Sequence, residues 1–205
     1  MGDKKTRRRP LALPITLILL VMSIMGNVLY STKNIEYSQR EKVEAGQQIF
    51  DGFANGKKDM DYWGQYIAQI QQMSTIDAQG ARLTASHLSE ALVQNESGLA
   101  VLMKDAAELS SEEFSQASGE YDALIKRMHE ELRSIGDGNG ALKEEELQNV
   151  EAAKAVITEL STGVNKFHFS MEGNRNALIR LSGGYDWLDI AAILHNTIKS
   201  YTNGK

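Results

Sequence analysis

Twenty consecutive residues without a charge, Leu11–Tyr30 (LALPITLILLVMSIMGNVLY), stand directly behind the basic run Lys4, Lys5, Arg7, Arg8 and Arg9. A hydrocarbon core takes about 20 apolar residues as helix. Eleven of these twenty are Leu, Ile or Val. At about −0.3 to −0.6 kcal/mol each they favour insertion by roughly 3–7 kcal/mol, before the offsets of Thr16, Ser23 and Asn27. Pro14 falls in the first turn, where little intrahelical bonding is lost, and Tyr30 suits the outer interface. The five cations hold the N-terminus on the cytoplasmic side. The expectation is a single-pass cell-membrane protein: a basic tail over residues 1–10, a signal-anchor over 11–30, and the bulk of the chain extracytoplasmic. A cleaved signal peptide shares the basic front, but its apolar part runs about 7–15 residues and closes on small side chains. Here Leu29-Tyr30-Ser31 puts a large one at that place. The start Met1-Gly2-Asp3-Lys4-Lys5-Thr6 also fits the loose myristoylation pattern, a coincidence beside a full anchor.

Behind the anchor, 175 residues suit one domain with a real core. Of 22 cations and 27 acids, five and one precede the anchor, leaving 17 against 26, a net of −9. Such a surface disfavours nucleic acid and anionic headgroups. The chain has no cysteine, which excludes disulfides, thiol catalysis, Cys-zinc sites and a lipidated N-terminal Cys. Both prolines, Pro10 and Pro14, lie at or before the start of the anchor. A chain free of proline from Ile15 onward fits long helices joined by glycine-containing loops.

Residues 31–56 read as a stalk helix ending in a turn. Ile35, Val43, Ile49 and Phe50 are sparse apolar points in it, and Gly52-Phe53-Ala54-Asn55-Gly56 reads as its stop. The bundle is expected over 57–205. A helix begins near Asp59 or Asp61, acids placed against its dipole, with Met60, Trp63, Ile67 and Ile70 at spacings of three and four. Asn95-Glu96-Ser97-Gly98 is a break, and Leu99, Leu102, Met103 and Ala106 resume the pattern. Ser110 and Glu113 form a capping box before a helix striped by Phe114, Tyr121, Leu124, Ile125, Met128, Leu132 and Ile135. Ala153, Ile157, Leu160, Val164, Phe167 and Met171 step by alternating fours and threes, a heptad seam as in coiled coils. A short amphipathic piece, 177–181, precedes Gly183-Gly184 and a last helix over about Tyr185–Tyr201. Short loops make such helices antiparallel neighbours. The fold class expected is all-α: one N-terminal transmembrane helix, then an extracytoplasmic antiparallel bundle of about four helices.

The best chemical motif is the turn Ile135–Glu146, IGDGNGALKEEE. It resembles an EF-hand calcium loop: Asp137 and Asn139 stand at oxygen-ligand positions, Gly140 at the sharp turn, Leu142 at the apolar position and Glu146 at the bidentate close. Ile135 stands where the first carboxylate belongs. The competing reading is a glycine-rich hairpin whose Glu144, Glu145 and Glu146 face the next helix dipole. The residues three before His87, His129, His168 and His195 are Thr84, Lys126, Asn165 and Ala192, so the Glu-x-x-His pairs of di-iron bundles are absent. His129-Glu130-Glu131 lacks the second histidine of a zinc protease. Tyr62-Trp63-x-x-Tyr66 and Tyr185-x-Trp187 read as core and edge packing or, more sharply, as two walls of an aromatic pocket. Asn95-Glu96-Ser97 is a glycosylation sequon in a eukaryotic secretory setting.

With no nucleophile, metal set or acid–base cluster standing out, an enzyme is not expected, nor is a cofactor. The functional expectation is a scaffold or protein-interaction module at the membrane, with a protein partner or self-association. The alternative is a ligand-sensing bundle that signals through a membrane partner. One anchor followed by a polar helical region, with Leu109–Leu132 (LSSEEFSQASGEYDALIKRMHEEL) closest in flavour, resembles the N-terminal part of the YpeB family of spore germination proteins. The resemblance implies an envelope protein of sporulation or germination. It carries over no functional residue, and the family's C-terminal modules find no room here.

Overall fold

The computed structural model describes residues 12–94 and 97–203. The basic run, the myristoylation pattern, Leu11, and Asn95 and Glu96 of the sequon lie outside them. Every regular element among the described residues is helical. In chain order these are α1 (Ala12–Met73), α2 (Ala78–Gln94), α3 (Gly98–Leu109), the single turn α4 (Ser111–Phe114), α5 (Ala117–Asp137) and α6 (Glu144–Val164). A 3-10 turn over Phe169–Met171, α7 (Arg175–Ser182) and α8 (Leu188–Asn203) complete the chain.

By its contacts the chain divides between Glu41 and Lys42. The first unit contributes the start of α1. Its apolar side chains, from Ile15 to Tyr30, are exposed, and so are Ile35 and Tyr37. This helix is long and apolar enough to cross a membrane by length and composition. A helix apolar all round and uncovered by protein has that property, whereas the amphipathic remainder of α1 does not.

The second unit holds one continuous hydrophobic core. From α1 it takes Ile49, Phe50, Phe53, Met60, Trp63, Ile67 and Ile70. The expected stop at Gly52–Gly56 is therefore a correction: α1 runs through it, and Asp59 and Asp61 lie inside the helix. The glycines serve a helix crossing. A Cβ at Gly52 would come within 2.9 Å of Leu102, and one at Gly56 within 3.0 Å of Leu99. On the facing helix a Cβ at Gly98 would collide with the α1 backbone at Gly52 O and Gly56 N. Gly46 likewise leaves room for the backbone of Leu178 on α7. Small residues at such spacing let helix backbones touch, and that packing gain outweighs the propensity cost of interior glycine, about 1 kcal/mol each.

The first true break comes later, at 74–77. Asp77 caps α2 there, its Oδ1 accepting from Gly80 N at 2.9 Å. The capping box expected at Ser110 does not form, since that side chain makes no cap hydrogen bond. Around the core, α5 packs on α2, α3, α6 and α8, and α6 on α8. The seam expected on α6 is buried at Ala153, Ile157, Leu160 and Val164. Phe167 lies beyond the helix end, yet it is buried and stacks on Phe53 with ring centroids 4.1 Å apart.

Candidate functional site

The calcium-like turn joins α5 to α6, and its centre is filled by a residue from far away in sequence. Arg82 of α2 is 4 % exposed. Its Nη1 donates to Ile135 O and to Glu146 Oε1 (2.9 Å). Nε donates to Gly140 O at 3.0 Å, and Nη2 to Ala141 O at 3.1 Å, Asn139 O at 3.5 Å and Glu146 Oε2 at 3.0 Å. The loop thus turns carbonyls and one bidentate carboxylate onto a cation, as the motif suggests, but the cation is a guanidinium. A planar fork of five donors matches that set, which a point charge such as lysine would not.

The three residues expected at the site separate. Glu146 is central: besides Arg82 it accepts from Lys143 N at 2.7 Å, capping α6. Hydrogen bonds from Arg82 hold its carboxyl below the usual range; burial opposes them and the Lys143 N–H helps. Asp137 points away, its side chain 75 % exposed and 3.7 Å from Arg133. Asn139 contributes its backbone carbonyl, not its side chain. Gly138 is needed because a Cβ there would run into the Arg82 guanidinium, and Gly140 has φ +73°, a conformation that suits glycine. Among the described residues no group of three or more acids and histidines is placed to hold a metal ion.

Among the described residues no ring contact joins the two aromatic groups. Trp187 is buried edge-on to Phe53 at 6.2 Å and donates Nε1–H to Leu181 O at 2.9 Å, while Tyr185 is exposed. Tyr62 stacks at a tilt on Tyr66, centroids 4.6 Å apart, and its hydroxyl lies 3.1 Å from His87 Nε2. The other histidines are dispersed. His129 Nδ1 meets Ser89 O at 2.8 Å, His195 Nε2 meets Glu120 Oε2, and His168 is exposed beside the 3-10 turn.

A polar knot at the N-terminus of α3 had no counterpart in the sequence reading. Ser97 caps the helix, its Oγ accepting from Leu99 N at 3.2 Å and donating to Asp59 Oδ2 at 2.8 Å. Gly98 N donates to the same Asp59 oxygen at 3.0 Å. Asp59 therefore serves the dipole of α3 from across the helix crossing, and does not start a helix of its own. Two open hollows flank Ser97. One, about 440 Å³, is lined by Asp59, Tyr62, His87 and Glu90 among others. The second, about 500 Å³, lies among α2, α3 and α5 and is walled by Leu92, Val93, Ala100, Tyr121 and Ile125. Tyr121 belongs to the expected apolar stripe, and nothing in its spacing separates a packed ring from the wall of a hollow.

Compared with protein-family models, curated proteins and solved structures, the chain finds no match in any of the three.

Proposed function

We propose that this chain is a single-pass membrane protein, N-terminus cytoplasmic, whose extracytoplasmic part is an antiparallel helical bundle acting as a protein-interaction or scaffold module. The observation that supports it most is the double use of α1. The helix bearing the uncharged segment also supplies Phe53, Met60, Ile67 and Ile70 to the core. A binding domain anchored by one of its own core helices is confined to the membrane surface, which raises its effective concentration toward membrane partners. The charge asymmetry around the segment supports the orientation. The reading is non-enzymatic, since no nucleophile–base motif stands in the sequence.

Two measurements test it. A reporter active only outside the membrane, fused after Lys205, should be active; a cytoplasmic reporter active in its place sinks the topology. Photocrosslinkers at the exposed Ile76 and Leu83 in intact membranes should give discrete protein adducts, heteromeric or self. Diffuse labelling alone argues against an interaction module.

The second reading, a ligand-sensing bundle working through a membrane partner, draws on the two open hollows of about 440 and 500 Å³ that flank Ser97.

A further inference from the structure

The outer end of the uncharged segment runs into a repeat of seven. Asn27-Val28-Leu29-Tyr30-Ser31-Thr32-Lys33 is followed at once by Asn34-Ile35-Glu36-Tyr37-Ser38-Gln39-Arg40. Asn, Tyr and Ser recur in place, Val is answered by Ile and Lys by Arg. Both copies lie in the unbroken helix α1, and every residue from Pro14 to Lys42 is exposed. A lone helix turns every 3.6 residues and gains nothing from a period of seven. Two supercoiled helices do, because each seventh residue then returns to the seam between them.

Charge decides which face that seam is. Between Leu11 and Arg40 the charged residues are Lys33, Glu36 and Arg40. Taking Val21, Val28 and Ile35 as a, and Leu17, Ile24, Ser31 and Ser38 as d, puts all three at the outward b and f positions. There Lys33 Nζ donates to Glu36 Oε2 of its own helix at 3.2 Å. The flanking e and g positions, among them Asn27, Thr32, Asn34 and Gln39, carry no charge. The result is an uncharged strip over residues 17–39, about three heptads, the length from which such a pattern argues coiled coil. It ends at Glu41 and Lys42. Val and Ile at a point to two strands.

A second copy of the chain fits this strip. Copies inserted in one orientation lie parallel, so each a and d residue meets itself. A charge on the strip would face its own like at a cost, and the strip has none. Asn27 and Asn34 at g stand opposite Thr32 and Gln39 at e of the second copy, and an amide offers such a neighbour both donor and acceptor. On the topology proposed above, lipid covers the strip as far as Tyr30. Ile35 beyond it, 59 % exposed, gains cover from a partner helix.

We propose that the chain pairs with a second copy of itself through α1 over residues 17–39, as a parallel two-stranded coiled coil that begins in the membrane and continues outside it. The proposal rests on the single-pass interaction reading and names the partner as the chain itself.

The chain has no cysteine, so single cysteines introduced into the full-length protein in native membranes each report on one position. Mild oxidation should give disulfide dimers from Val28→Cys, Ser31→Cys, Ile35→Cys and Ser38→Cys. Yields should be about tenfold lower from Tyr30→Cys, Lys33→Cys, Tyr37→Cys and Arg40→Cys, whose Cβ atoms turn away from the seam. Adding Ile35→Asp to Ser31→Cys should lower its dimer about tenfold, whereas Lys33→Asp on the outer face should leave it unchanged. Ile35 lies outside the hydrophobic core, so the circular dichroism of Ile35→Asp should match the parent. Equal yields at all these positions, as random collision gives, or no dimer at any of them, overturn the proposal. So does a dimer at one position alone, the mark of crossed or antiparallel helices. Maxima at Tyr30 and Tyr37 overturn it by placing the contact on another face. The Lys205 reporter and the crosslinks from Ile76 and Leu83 are read separately, so loss of the seam leaves the topology and the interaction reading standing. An inverted reporter with the seam pattern intact sinks the topology alone.

Discussion

The two ends of α5 handle buried polarity in opposite ways. Its C-terminal end opens into a loop whose inward carbonyls and Glu146 converge on Arg82, and every donor nitrogen of that guanidinium is engaged. Its N-terminal half carries Tyr121, whose buried hydroxyl has the Ser97 hydroxyl beside it but reaches hydrogen-bond geometry with no described group. Both positions face neighbours of the same kind, α2 at one end and α2 with α3 at the other. The difference is therefore not burial but completeness. A closed polar set locks a turn to a helix 53 to 64 positions away in sequence. An open one leaves a donor without its match, at a cost in stability.

The comparison breaks most visibly at Arg82. Arg82→Leu leaves Glu146 buried without its counter-charge and several carbonyls unpaired, and should cost about 3–5 kcal/mol in denaturant unfolding. Adding Glu146→Leu should recover a large part of that loss; if the double variant is no better than the single, the pair is not the source of the closure. Gly98→Ala, beside the Ser97 cap, forces α3 off the α1 backbone and should cost about 1–3 kcal/mol by overpacking. An unchanged melting midpoint there would remove the close crossing.

Acid sharpens the contrast next. Glu146 has a lowered carboxyl in the folded chain, so its contribution is full above the unfolded carboxyl value of about 4.3 and is lost as pH falls through the lower folded value. The stability gap between the parent chain and Glu146→Gln should hold from pH 7 to about pH 5 and close below that. A gap independent of pH contradicts the assignment. At the other end, Tyr121→Phe should gain about 1 kcal/mol in a thermal melt, because it deletes an unmatched hydroxyl without changing the ring. The smallest expected effect is none: calcium at millimolar concentration should leave the midpoint where it is, since Arg82 already fills the loop. A calcium-dependent rise would show that the guanidinium can be displaced.

Much of this is legible in the sequence, and most of what is not depends on residues far apart in it. Helical class, the α6 seam from Ala153 to Val164, and the turn at 138–140 follow from local patterns that one segment carries alone. Gly52 and Gly56 misled because glycine ends helices and also lets helices touch; only the presence of Gly98 opposite decides which. Glu146 was recognisable as the closing ligand of a loop, but its partner is 64 residues back, and no spacing rule reaches that far. The hint lay in the defect itself, since a calcium-like loop with Ile135 in place of its first acid has too little charge for a divalent ion. The break at 74–77 was missed for want of glycine or proline, although Asp77 is an ordinary helix cap. Tyr121 was counted with the core, as a ring on an apolar stripe should be, and the state of its hydroxyl depends on neighbours outside α5.

The stacking of Phe53 on Phe167 and its edge contact with Trp187 also fix a timetable. Trp187 follows Phe53 by 134 positions, and a ribosome adds about 5–20 residues per second. Phe53 on the inner face of α1 thus waits roughly 7 to 27 s for this covering ring. Through that interval Ile49, Phe53, Met60 and Ile67 form a continuous sticky strip on a segment already made. A chain built this way is exposed to aggregation for as long as that strip stands uncovered during synthesis.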